Sequence, residues 1–231
     1  MAGNSTTRSV DIVLCIDGTG SMSGVINNVK KNALRFNDEL ISHLADVGDT
    51  VAAVRVKVIV FRDYGCDTDA MEESPFFEVS GSDSELFSEW MNHVSARGGG
   101  DIPENGLEAL YFAMKSDFVT GPKDRQVIVL FTDADALPLG ERKGAAGYPE
   151  DMPDEDGLKD IWDCIDSQSH PEIKLREHNR RMVIFAPSDT YYKAFADTMG
   201  GVNFQPVDAG TGLDSVDFSE IIKVVAASVG V

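Results

Sequence analysis

The sequence predicts an α/β domain: a doubly wound, mainly parallel six-stranded sheet with helices on both faces and one short antiparallel edge strand. Three observations carry this reading. Runs of β-branched residues alternate along the chain with segments of helical periodicity, as strand and crossover helix alternate in a parallel sheet. The runs are nearly continuous in apolar residues, which suits strands covered on both faces. The chain has 231 residues, 42% of them hydrophobic, and no Pro/Gly/Ser-rich linker divides it. We therefore expect a flexible amino terminus over 1–9 and one domain over 10–231.

The elements follow in order. Val10 to Ile16 is an apolar run and the expected central strand. From Met22, Val25, Ile26, Val29, Ala33, Phe36, Leu40, Ile41 and Leu44 recur at three- and four-residue steps, one face of a long helix with Ser21 as its expected N-cap. Val51 to Phe61 reads as a second strand and Pro75 to Val79 as a short third. About a dozen residues without helical periodicity separate those two, so they should pair antiparallel at an edge. Leu86, Trp90, Met91 and Val94 mark a helix, and Leu107, Leu110, Tyr111 and Met114 the next. Strands are then expected at Gln126 to Thr132, Met182 to Ala186 and Val202 to Gln205, with helices at Leu158 to Ile165, Tyr191 to Met199 and Val216 to Val229. Leu137 to Asp156, rich in proline, glycine and acidic residues, should be an exposed loop on the rim of the site.

Asp17-Gly18-Thr19-Gly20-Ser21 follows directly on the first strand and places one carboxylate and two hydroxyls at alternate positions. The glycines let the backbone turn tightly, so three side-chain oxygens can converge as a hard-cation site. Open α/β sheets bind ligands outside the carboxyl ends of their strands, and two further loops fall there. One holds Gly98-Gly99-Gly100-Asp101-Ile102-Pro103-Glu104, and the other is the end of the strand at Thr132-Asp133. Ser21 can cap a helix and ligate at once, because capping uses one lone pair. Asp101 is open between two roles: N-cap of a helix with Glu104 closing a capping box, or metal ligand. Asp135 is a substitute for Asp133, and Asp63, toward the sheet edge, is a weaker candidate. The four histidines have no ligand spacing.

These three segments, in this order, resemble the metal-ion-dependent adhesion site of von Willebrand factor type A (VWA) domains, where Asp-x-Ser-x-Ser is more usual than the Asp-x-Thr-x-Ser found here. The resemblance implies a Rossmann-like VWA fold and a metal held by Asp17, Thr19, Ser21, Asp101 and Asp133, with Asp133 usually acting through water. Family members commonly offer threonine from the second loop. Asp101 stands there instead, so that loop ligates directly, through water, or by way of Glu104. The expected ion is Mg²⁺, with Mn²⁺ or Ca²⁺ as alternatives, and the expected partner is another protein supplying an acidic residue.

Composition narrows the alternatives. Acidic residues outnumber basic ones 39 to 20, a net charge of −19, which opposes nucleic acids and anionic membranes. Lys30-Lys31 and Arg180-Arg181 are too short to make a basic patch. Three cysteines argue against a disulfide framework, and the polar first nine residues lack the apolar core of a signal peptide, so a cytoplasmic protein is expected. A Mg²⁺-dependent phosphoryl-transfer hydrolase is the alternative function. An aspartate-nucleophile phosphatase needs a second Asp two residues after the first, and Thr19 stands there; a phosphate-binding loop needs a Lys that is also missing. We therefore expect no enzyme. A scaffold with a degenerate metal site is the third reading.

Overall fold

The computed structural model describes residues 7–46, 50–79, 81–98, 103–164, 170–210 and 218–230. Among these residues seven strands form one mixed sheet: β1 Thr7–Asp17, β2 Thr50–Phe61, β3 Met71–Glu73, β4 Phe77–Glu78, β5 Arg125–Phe131, β6 Arg180–Pro187 and β7 Val202–Val207. Their order is β3-β2-β1-β5-β6-β7, with β4 also on β2. β1, β2, β5, β6 and β7 run parallel, while β3 and β4 run antiparallel to β2.

The sheet therefore has one strand more than the six expected, because the antiparallel edge is split. Pro75 has no N–H to give a ladder. Ser74, just before it, donates its N–H to Val58 O at 2.9 Å, and its Oγ takes the place of a carbonyl by accepting from Val58 N at 2.8 Å. β3 ends before this crossing and β4 resumes after it.

Among the described residues six α-helices cover the two faces: α1 Ser23–Asp46, α2 Ser84–His93, α3 Gly106–Met114, α4 Glu155–Trp162, α5 Tyr191–Thr198 and α6 Phe218–Gly230. Alternate side chains of a strand point to opposite faces. Val10, Ile12, Leu14 and Ile16 of β1 pack with apolar residues of α1, α2 and α6, whereas Val13 and Cys15 pack with those of α3, α4 and α5. Each fully buried Val, Leu or Ile contributes about 1.5–3 kcal/mol. β1 is thus committed on both faces and both edges.

One helix start differs from expectation, and one open alternative is resolved. Ser21 lies inside a 3₁₀ turn, Gly20–Met22, and Thr19 stands at its N-cap position in extended conformation. α1 begins after it, so Ser21 is not an N-cap. α3 starts at Gly106, beyond the Asp101 to Glu104 capping pattern, because Glu104 has been drawn into a parallel bridge with Ala136: its N–H donates to Asp135 O at 3.1 Å and its carbonyl accepts from Leu137 N at 2.9 Å. The stretch after β5 opens on buried Ala136 and Leu137 and is only partly exposed beyond them.

Candidate metal centre

β1 and β5 are neighbours, with Ile16 opposite Phe131, so the residues just past both strand ends meet. Asp17 is fully buried. Its Oδ1 accepts from the Thr19 backbone N–H at 2.9 Å and the Thr19 hydroxyl at 2.6 Å, and its Oδ2 accepts from the Thr132 hydroxyl at 2.8 Å. The Ser21 hydroxyl donates to Asp133 Oδ1 at 2.9 Å and lies 3.3 Å from Thr19 Oγ1. Thr132, Asp17, Thr19, Ser21 and Asp133 therefore form one connected set of oxygens at two adjacent strand ends.

Gly18 makes the turn possible. Its N–H donates to Phe61 O at 2.8 Å, and its carbonyl accepts from Arg97 N at 2.9 Å and from Arg62 Nε at 3.3 Å. Arg62 is wholly buried and also donates to Glu72 at 2.7 Å, Asp69 O at 2.8 Å and Ser95 O at 3.2 Å. Sequence reasoning missed this residue. A charged residue directly after the long apolar run of β2 was the available signal.

The other candidates sit elsewhere. Asp101 lies outside the described residues. Glu104 is buried, with its backbone spent on the Ala136 bridge. Asp135 Oδ1 accepts from Ala136 N at 2.7 Å and from Tyr191 N at 2.8 Å, at the start of α5. Asp63 is buried and held by Arg142 at 2.6 and 2.5 Å. Burial alone would raise its carboxyl, but hydrogen bonds from Arg142 and Gly65 and the guanidinium charge hold it below the usual carboxylate value. Asp63 is thus structural.

Burial pushes the Asp17 carboxyl up to about 6, with the charge of Asp133 adding to the effect against the bonds from Thr19 and Thr132. Two carboxylates in such a place favour a compensating cation. Among the described residues no cluster of three or more His, Cys, Asp and Glu is arranged to hold a metal. The donors here are instead two carboxylates and three hydroxyls, without nitrogen or sulfur. A hydroxyl that donates its proton to a carboxylate keeps lone pairs for a cation, so the set suits a hard ion such as Mg²⁺. Beside it opens a cavity of about 590 Å³ lined by residues that include Asp133, Asp135, Asp189, Thr190 and Asp208.

The family model for the von Willebrand factor A domain matches residues 74–140. The pilus adhesin SpaC from Lactobacillus rhamnosus GG shares the fold with a TM-score of 0.54 at 13% identity, over 96% of this chain and 31% of that one. A von Willebrand factor type A protein from Catenulispora acidiphila does so with a TM-score of 0.51 at 14% identity, over 94% of this chain and 42% of that one. At such identities the likeness is one of fold, and this chain spans less than half the length of either structure. No curated protein matches the sequence. The matched segment is less than a third of the chain, and together with the shared architecture it makes this chain similar in fold to VWA domains.

Proposed function

We propose that this chain, with the fold of VWA domains, is a metal-dependent protein-binding module whose ion is completed by a carboxylate from the partner. One observation carries the reading: the connected oxygens of Asp17, Thr19, Ser21, Thr132 and Asp133 at the ends of β1 and β5. Asp17, Thr19, Ser21 and Asp133 would hold Mg²⁺, or Mn²⁺ or Ca²⁺ in its place, and Asp101 is kept as a candidate contributor. Thr132 would orient Asp17 through its 2.8 Å bond. The ion supplies a positive charge able to take an anionic oxygen as ligand. The fold suits this role, since VWA domains are generally interaction modules rather than enzymes.

An odd count of three cysteines favours a reducing compartment, and we place the protein in the cytoplasm. No helix among the described residues is long and apolar enough to cross a membrane. Calorimetry with Mg²⁺ tests the site. The wild-type chain should bind Mg²⁺ and Asp17→Ala should show no measurable binding. Unchanged affinity in Asp17→Ala would overturn the reading.

A further inference from the structure

The surroundings of the site are acidic. Asp135, Asp189 and Asp208 line the cavity next to Asp133, and the last two are exposed. A partner segment that is acidic throughout meets like charge there, at a cost in both encounter rate and affinity. The favoured ligand is a single carboxylate flanked by cations, the carboxylate for the metal and a cation for the cavity, whose volume is ample for one long side chain.

Such a segment lies at the opposite end of this same fold. Residues 174–181, Lys-Leu-Arg-Glu-His-Asn-Arg-Arg, carry four cationic side chains and one carboxylate in a chain of net charge −19. The sequence pair Arg180-Arg181 makes no patch alone; the turn before β6 adds Arg176, while Lys174 pairs with Asp117 and buried Arg180 with Asp163. Asn179 N and Arg180 N both donate to Arg176 O at 2.9 Å, so Arg176, Glu177 and His178 are presented together, all three exposed. The turn is firmly based. The Arg180 guanidinium pairs with Asp163 at 2.9 Å and stacks on Trp162, and that of Arg181 donates to His178 O at 3.2 Å and Arg180 O at 2.7 Å.

We propose that the partner of the metal site is a second copy of this chain, which offers Glu177 to the ion and the neighbouring Arg176 to the acidic cavity. The inference rests on the metal-site reading above. The turn cannot serve the site of its own copy. It precedes β6, Arg180–Pro187, whereas the cavity lies past the far end of that strand, about 26 Å away at about 3.3 Å per residue. Contact between unlike ends is heterologous, so each added copy leaves one free site and one free turn. The product is a ring or an open filament.

Analytical ultracentrifugation of the full chain at fixed ionic strength, with Mg²⁺ or with EDTA, tests this. In Mg²⁺ the average mass should climb with concentration above the 25.0 kDa of one chain, and EDTA should return it to that value. Glu177→Gln, on an exposed turn where folding is not at stake, should weaken association roughly 30-fold or more, as loss of one member of a desolvated charge pair does. Glu177→Gln and Asp17→Ala should each stay monomeric alone, yet form a dimer that cannot grow when mixed, since one retains the site and the other the turn. Calorimetry on the same samples separates the failures. Mg²⁺ binding with a monomer at every concentration overturns the second-copy partner and leaves the metal site standing. No Mg²⁺ binding overturns both, and association that survives EDTA and Glu177→Gln places the contact on another face and overturns the proposal.

Discussion

A methyl group built on Gly18 would lie 2.6 Å from Cγ1 of Val60 and 2.9 Å from the guanidinium carbon of Arg62, both fully buried. Neither neighbour has room to retreat, so Gly18→Ala should cost about 1–3 kcal/mol, the usual range for overpacking. At about 2–4 °C per kcal/mol for a chain of this size, thermal denaturation should reveal it, and Mg²⁺ affinity should fall because Asp17 sits next door. Gly20 is the control: the nearest atom to its added methyl is Gly98 O at 3.9 Å, and Gly20→Ala should be tolerated. Equal melting temperatures for the two variants would refute this account of the turn. The site is partly legible in sequence at this scale. Asp17, Thr19, Ser21 and Asp133 stand at strand ends, which local patterning locates, and the structure joins them. Arg62 behind Gly18 and the bond from Thr132 to Asp17 were not legible, because the partner of a buried polar group is chosen by tertiary packing.

At the scale of elements, the segment between β5 and α4 is tied down by side chains rather than by a ladder. Arg142 grips buried Asp63, the Tyr148 hydroxyl donates to buried Glu108 on α3 at 2.9 Å, and Lys115 pairs with Asp151. Removing Arg142 leaves a buried carboxylate unpaired, so Arg142→Ala should cost about 2–3 kcal/mol and speed amide exchange in this segment. The pH dependence has a definite sign. The Asp63 carboxyl is held below its ordinary value of about 3.8, so the pair stabilises the fold above that pH and its contribution is lost as pH falls below it. Acid unfolding of the wild type should therefore gain a step below pH 3.8 that Arg142→Ala lacks; superimposable acid curves would exclude it. Four of the parallel strands were legible as apolar or β-branched runs, whereas β7, Val-Asn-Phe-Gln-Pro-Val, was legible mainly from its place in the alternation of elements. The split edge was not, since β3 has three residues and Pro75 hides the break. The helix marked by Leu107 to Met114 was legible, but which of its two open roles the Asp-Ile-Pro-Glu segment takes was not: it carries good local capping chemistry, yet Glu104 is bridged to Ala136 and α3 starts beyond it at Gly106.

For the molecule as a whole, a net charge of −19 means that the folded chain repels itself. Sodium chloride should raise the melting temperature modestly by screening that repulsion. Mg²⁺ at matched ionic strength should add a further increment, about 2.7 kcal/mol when the free ion stands at about 100 times Kd. Asp17→Ala should keep the response to salt and lose the response to Mg²⁺. If both salts act alike on both proteins, the ion acts by screening alone and the metal centre is refuted.

The sheet order also has a consequence in time. β1 pairs with β2 on one edge and β5 on the other, and the bonds that close the centre join Thr132 to Asp17 and Ser21 to Asp133, 115 and 112 residues apart. A ribosome adding about 5–20 residues per second makes the first half of the site roughly 6–23 s before the second. Throughout that interval the nascent chain carries β1 with one edge unpaired and the apolar run Val10 to Ile16 uncovered on that side. An unpaired apolar edge is a template for aggregation. The newborn chain is therefore exposed to aggregation until β5 emerges, and fragments that stop short of Arg125 are expected in the insoluble fraction of a cell lysate.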